Sequence, residues 1–253
     1  MRVPDDAAPD GAGVGGVPGA SPVSGAQGRR LAGERLRQAI LAGDMAPGQR
    51  LMEEELAGLF GVTRASLRGA LFDLAADGLA ERIPNRGARV RAVTAAEAVA
   101  ITECRMALEG LCAAKAAERV TGPQAQRLLQ LGAQLEQAVA AAEPLKYSAL
   151  NHELHRTVRE ISGQQVAAAL LERLNGQLVR HQFQLSLRPG RARTSLGEHL
   201  AIIAAITAGR PAQAERATRR HMRSVITALL DQDKLDQDKL DQHKLDQRQE
   251  EAR

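Results

Sequence analysis

The chain has 253 residues, 44% of them hydrophobic, and a formal net charge of +4 from 34 Lys and Arg against 30 Asp and Glu. That length accommodates two domains with buried cores. Aromatic residues make up 2% with no Trp, which excludes a stacking platform for single-stranded nucleic acid. No apolar run approaches the roughly 20 residues that span a bilayer, and the N-terminus lacks the charged-then-apolar order of a signal peptide.

Residues 1–28 are rich in Gly, Ala, Pro and Ser with scarcely any periodicity, the composition of a disordered arm. Gly11-Ala12-Gly13-Val14-Gly15-Gly16 matches a dinucleotide-binding spacing, but neither a preceding strand nor a following helix supports it. From 29 to 93 the pattern changes. Residues 29–92 hold eleven Arg, no Lys and eight acids, a balance that favours bidentate phosphate and guanine contacts over diffuse attraction. Leu51, Met52, Leu56, Leu59 and Phe60 suggest a short apolar-faced helix, and Gly61 follows where a left-handed residue closes a helix. Thr63 is placed to cap the next helix, whose Leu67, Ala70, Leu71 and Leu74 recur at 3.6-residue spacing. Arg64, Ser66 and Arg68 fall off that stripe within the first turn and a half, where a recognition helix meets bases and phosphates.

Leu79 to Arg82 and Ala88 to Val93 then read as extended runs around a Pro84-Asn85-Arg86-Gly87 turn. Arg82, Arg86, Arg89 and Arg91 make this hairpin basic, suited to a phosphate backbone or a narrow minor groove. Helix, turn, helix and basic hairpin in that order describe a winged helix-turn-helix over residues 29–93. Duplex DNA is the partner such a unit implies.

The run Leu36 to Arg91 resembles the DNA-binding domain of the GntR family of bacterial transcription regulators. The residues that carry the resemblance are Gly43-Asp44-Met45-Ala46-Pro47-Gly48, Gly61-Val62-Thr63-Arg64 and Asp77-Gly78-Leu79. It implies operator contacts from the recognition-helix start at Thr63, Arg64, Ser66 and Arg68, with Asn85-Arg86-Gly87 entering the minor groove. Two departures stand out: Ala65-Ser66 replaces the family's Thr-Pro, and Gly69 stands where a Glu is usual. Gly69 costs about 1 kcal/mol relative to Ala in a helix interior.

Residues 94–230 are helical in character. Breaks at Thr121-Gly122-Pro123, Glu143-Pro144, Ser162-Gly163, Arg188-Pro189-Gly190 and Gly209-Arg210-Pro211 delimit six helices, which should pack as an antiparallel bundle. Cys104 and Cys112 lie eight residues apart on one of them, about 12 Å by helical rise. They cannot pair, and a reducing cytoplasm suits them. Asn151 and His155 are four apart and share a face. His199 and His221 sit on two later helices among apolar neighbours. Three inward histidines and an amide oxygen suit a divalent transition metal such as Zn²⁺, Ni²⁺ or Mn²⁺. His152 is one residue off that face and His243 lies in the tail, so neither is expected as a ligand. Arg105 falls in an otherwise apolar row with Ile101, Leu108 and Cys112, where its guanidinium either clamps a carboxylate or pairs with Glu109 at i+4.

This second region resembles the FCD effector domain that accompanies GntR winged helices, and the whole chain is similar to the FadR-type subfamily. Asn151, His155, Glu198-His199 and His221 stand at the positions of the family's metal-binding pattern, with Asn151 in place of the usual acid. The resemblance implies a small carboxylate-type metabolite bound beside the metal, with Arg105 as its clamp and Arg180 and His181 lining the cavity. Leu230 to Gln247 repeats roughly as LDQDK with Leu at 230, 235, 240 and 245, which sets residues 231–253 apart as a low-complexity charged tail. A five-residue period advances 140° per leucine and forms no apolar stripe, which suggests a frayed helical extension or a disordered tail.

Two rival readings use the same residues. A three-histidine metal could activate water, but His152-Glu153-Leu154-His155 puts the two histidines three apart rather than the four of a metalloprotease helix, with no matched general base. A constitutive structural DNA-binding protein would have no use for inward His and Arg. The expectation is a cytoplasmic, homodimeric regulator, most simply a repressor. It would bind an inverted repeat of double-stranded operator DNA and answer to a metabolite.

Overall fold

The computed structural model describes residues 21–84 and 86–251, over 236–251 chiefly the backbone. Residues 1–20, with the Gly-rich run, and Asn85 at the expected wing tip lie outside the described residues. The chain divides into two compact units between Arg91 and Ala92.

The first unit holds α1 (Gly25–Ala42), β1 (Arg50–Leu51), α2 (Glu53–Phe60), α3 (Arg64–Ala76), β2 (Ala80–Ile83) and β3 (Gly87–Val90). Gly61 adopts φ +63°, and its N–H and that of Val62 return to carbonyls of the last turn of α2. Thr63 then caps α3, its hydroxyl accepting from the Ser66 N–H at 3.3 Å. Leu67, Ala70, Leu71 and Leu74 are buried as their spacing predicts, against Ala32 and Leu36 of α1 and Leu56 and Phe60 of α2. Each fully buried leucine of this kind contributes roughly 1.5–3 kcal/mol.

Several expectations change. Helix α1 begins at Gly25, so the arm expected to run to residue 28 gives way to structure sooner. Val23 there pairs with the segment between α2 and α3, donating to the Gly61 carbonyl at 2.9 Å and accepting from the Thr63 N–H at 3.0 Å. Leu51 belongs to β1 rather than to a helix, and Met52 and Leu59 are exposed instead of lining its core face. The wing is accordingly three-stranded, in the order β1-β3-β2, with Arg50 opposite Arg89 and Glu81 opposite Arg89 on the other side.

The second unit holds α4 (Ala95–Arg119), α5 (Gly122–Ala140), α6 (Pro144–Ser162), α7 (Gln165–Gln177), α8 (Val179–Leu187), α9 (Arg191–Thr207) and α10 (Pro211–Glu251). All five expected breaks fall between helices. A sixth lies at Leu178, where φ −101° and ψ 5° separate α7 from α8 with no Pro to announce it, so residues 165–187 form two helices rather than one. Helix α4 is central, packed by α6, α7, α9 and α10. Its small residues Ala113, Ala116 and Ala117 let neighbours approach closely, and together with Leu128, Leu135, Leu154, Ile202 and Ile206 they form the main core. Cys104 is exposed and Cys112 buried, both free, on this one helix. Helix α10 runs on through the repetitive tail as far as Glu251.

Candidate functional site

Two groups of polar side chains stand out, one exposed in the first unit and one sealed in the second. In the first, the 100° step of α3 brings Arg64, Arg68 and Phe72 onto one solvent-facing row, Phe72 being 58% exposed. Neither arginine is alone. Arg68 donates from Nε and Nη2 to Oε2 of Glu53, at 3.2 and 3.0 Å. Arg64 Nη1 lies 4.0 Å from Oε2 of Glu54. Arg86 is exposed, and Gly87 opens β3 at φ +83°.

Ser66 is different from its expected role. Only 5% exposed, its hydroxyl donates to the Gly25 carbonyl and receives the Thr63 hydroxyl at 3.0 Å. It fastens α1 to the start of α3 and is turned away from the solvent face. Thr63 likewise spends its hydroxyl on the cap and on Ser66. Gly69 acquires a reason: an added Cβ would come within 2.9 Å of Arg29 Cδ, because the Arg29 stem crosses α3 there to pair with both carboxylate oxygens of Asp73 through Nε and Nη2, one edge of its guanidinium.

In the second unit His155 on α6, His199 on α9 and His221 on α10 converge, each offering a ring nitrogen within 4.8 Å of the others. His199 Nε2 and His221 Nε2 are 3.3 Å apart, close to the span of two nitrogens on one ion held at roughly 2.0–2.1 Å. The other ring nitrogens are committed outward. His221 Nδ1 donates to Oε2 of Glu198 at 2.7 Å, His199 Nδ1 meets the Tyr147 hydroxyl at 2.9 Å, and His155 Nδ1 faces Oε2 of Glu109 at 3.5 Å. Such outer oxygens fix the tautomer that turns each Nε2 to the centre. Burial pushes the pKa of both His199 and His221 well below 6.5, and the nearby His155 and Arg191 lower each further. Both are therefore neutral imidazoles, the form a metal binds.

Glu109 is 1% exposed. Burial alone would raise its pKa, but His155, Arg105 and Arg159 around it outweigh that and hold it at about 2. Arg159 Nη1 lies 3.4 Å and Arg105 Nη2 4.0 Å from its Oε1. The Arg105 pairing with Glu109 is thus present but long, and the buried Nε of Arg105 has no partner among the described residues. Asn151 Oδ1 is also buried without a partner, an amide oxygen one turn before His155 left for a ligand to satisfy. These donors fit a divalent ion. Arg180 is exposed, and His181 turns its Nε2 to the Val93 carbonyl at 2.9 Å. Among the described residues, no hydrogen bond or ion pair ties either to the histidine group.

Sequence reading missed Tyr147 and Arg159. Both were detectable, since Tyr147, Asn151, His155 and Arg159 recur every four residues along one strip of α6.

An exposed arginine row on a capped helix beside a basic three-stranded wing, followed by an all-helical unit with an inward polar centre, defines a winged-helix DNA-binding protein with an appended helical domain. The family models agree. Residues 30–90 match the bacterial regulatory proteins of the gntR family and residues 100–224 match the FCD domain. An HTH-type transcriptional regulator from an unstable DNA locus of Streptomyces ambofaciens is 30% identical over 196 residues, 76% of this chain and 80% of that one. The HTH-type transcriptional repressor RspR of Escherichia coli K12 is 27% identical over 190 residues, 75% of this chain and 83% of its own. Among solved structures, E. coli McbR/YncC superposes with TM-score 0.67 at 20% identity, covering 81% of this chain and 98% of that one. A GntR regulator from Rhodococcus does so with TM-score 0.63 at 22% identity, covering 81% and 98%. At those identities the superpositions speak to the fold alone. The chain belongs to the GntR family and carries an FCD domain. That makes it a DNA-binding transcriptional regulator, and the relatives it matches are regulators rather than enzymes.

Proposed function

We propose that this regulator is a repressor that binds an inverted-repeat operator as a homodimer in the cytoplasm, and that a small carboxylate metabolite held near a divalent metal in the bundle sets its operator affinity. Convergence of His155, His199 and His221 next to an orphaned Asn151 oxygen is the observation that carries the reading. His155, His199, His221 and Asn151 would hold the ion, which supplies a Lewis-acidic contact for a metabolite oxygen. Arg105 supports the choice of an anion, because its buried Nε donor is unspent and a guanidinium edge matches a carboxylate. Arg180 and His181 belong to the proposal only at its margin.

On the DNA side, Arg64 and Arg68 would read and grip the major groove and Arg86 with Gly87 the wing contact, while Thr63 and Ser66 act by holding α3 in place. Metabolite binding controls the operator by favouring one of two states of the dimer that differ in DNA affinity. The relative RspR is named a repressor, which favours that sign here. Among the described residues no helix is long and apolar enough to cross a membrane.

Elemental analysis of purified protein beside His199→Ala and His221→Ala tests the centre. Stoichiometric metal in the wild type and its loss in both variants is expected, and equal metal content in all three rejects the ligand set.

A further inference from the structure

The three consecutive acids Glu53, Glu54 and Glu55 open α2 directly across from the start of α3. Two of them reach the arginines of the exposed row. The two pairs are not alike. Glu54 is far out in solvent and 4.0 Å from Arg64, whereas the Glu53 side chain is only 23% exposed and the Arg68 it holds is 64% exposed. The acid is anchored and the arginine displayed. Glu53 also occupies the first turn of α2, where the helix N-terminus favours a carboxylate.

We propose that Glu53 is a specificity-determining positioning residue, holding Arg68 by one edge so that its other edge faces a guanine. This rests on the reading of α3 as the DNA-reading helix. A guanidinium has five donors in a rigid planar fork. Glu53 Oε2 takes Nε–H and one hydrogen of Nη2. Both Nη1 hydrogens and the outer Nη2 hydrogen remain, and this end-on pair matches guanine O6 and N7. A free arginine on a four-torsion stem would meet any phosphate equally well. A held one has given up part of that freedom, and its charge toward phosphates is partly cancelled by the carboxylate, so contacts without the matching base lose value. An exposed pair adds little to folding, which leaves orientation as what the pair supplies.

The experiment uses the full chain and two probes: a duplex enriched from a random-sequence pool by the wild-type protein, and a shuffled duplex of equal composition, both titrated by fluorescence anisotropy at one salt concentration. Glu53→Gln should lower the ratio of selected to shuffled affinity by about tenfold, through weaker binding of the selected duplex and equal or tighter binding of the shuffled one. Glu53→Asp, which keeps the charge, should restore part of the ratio. In an Arg68→Ala background Glu53→Gln should change the ratio no further. An unchanged ratio in Glu53→Gln, or the same loss with Arg68 absent, overturns the proposal. If Arg68→Ala itself leaves both affinities at the wild-type level, the reading of α3 fails and takes this proposal with it.

Discussion

Arg68 with Glu53 on α2 and α3, and Arg105 with Glu109 inside the bundle, are both arginine–glutamate pairs, yet one stands in solvent and the other is sealed from it. In water the pair is adjustable, because the carboxylate holds one edge of Arg68 and leaves its outer donors open to a guanine, while the pair itself adds little to folding. Inside the bundle the carboxylate is the common counter-charge for Arg105 and Arg159 and also faces His155 Nδ1, and nothing else among the described contacts can take its place. Solvent access therefore decides whether an ion pair serves as an adjustable contact or as part of the frame. The histidines follow the same rule, since burial keeps His199 and His221 neutral and so available to a metal.

The largest expected effect breaks the sealed pair. Glu109→Gln leaves two guanidinium groups without their counter-charge and should cost about 3–5 kcal/mol in urea unfolding; a loss below 1 kcal/mol would show that water reaches the group. Next, Glu198→Gln keeps the shape beside His221 but weakens the acceptor for its Nδ1–H. Metal affinity should fall 10–100-fold in a competitive chelator titration, with secondary structure by circular dichroism unchanged.

On the exposed side, Arg64→Ala should weaken duplex binding across sequences and reduce the slope of log affinity against log salt by about 0.9. An unchanged slope would remove Arg64 from the phosphate contacts. Proton linkage sharpens the comparison further. His199 and His221 have folded-state pKa values below the 6.5 of the unfolded chain, so the unfolded state binds more protons as pH falls through 6.5. Stability of the bundle is then fully present above that pH and is lost progressively below it, which His199→Phe should blunt in thermal melts between pH 7 and 5. The smallest effect concerns Gly69. Ala there gains about 1 kcal/mol of helix propensity but crowds the Arg29 stem, so Gly69→Ala should stabilise an Arg29→Ala protein more than the wild type.

What the sequence disclosed depended on the distance over which each feature is specified. The Gly61 turn, the Thr63 cap and the five Pro or Gly breaks are local, written within a few residues, and the structure forms each of them. Ser66 was misjudged because its burial comes from Gly25, forty-one residues earlier, which helical spacing cannot register. Strand β1 is two residues long and has no period to read; its existence follows from β3 offering it an edge. The break at Leu178 follows Gly176 by two residues but lacks a proline to mark it. At the histidine centre the converging His155, His199 and His221 were legible as polar residues on apolar faces. Tyr147 and Arg159 share the four-residue strip of Asn151 and His155 and were legible in the same way, whereas the burial of Glu109 was not, because it depends on which helices α4 meets.

The central claim couples the sealed centre to the exposed one. Anisotropy of the selected duplex, titrated with metal-loaded protein in the presence and absence of a panel of small carboxylates, measures that coupling directly. At least one carboxylate should shift the wild-type dissociation constant about fivefold or more, and the same compound should leave a folded His199→Ala, His221→Ala double variant unmoved. A shift of equal size in the double variant, or none in the wild type with any carboxylate that binds it, would contradict the account.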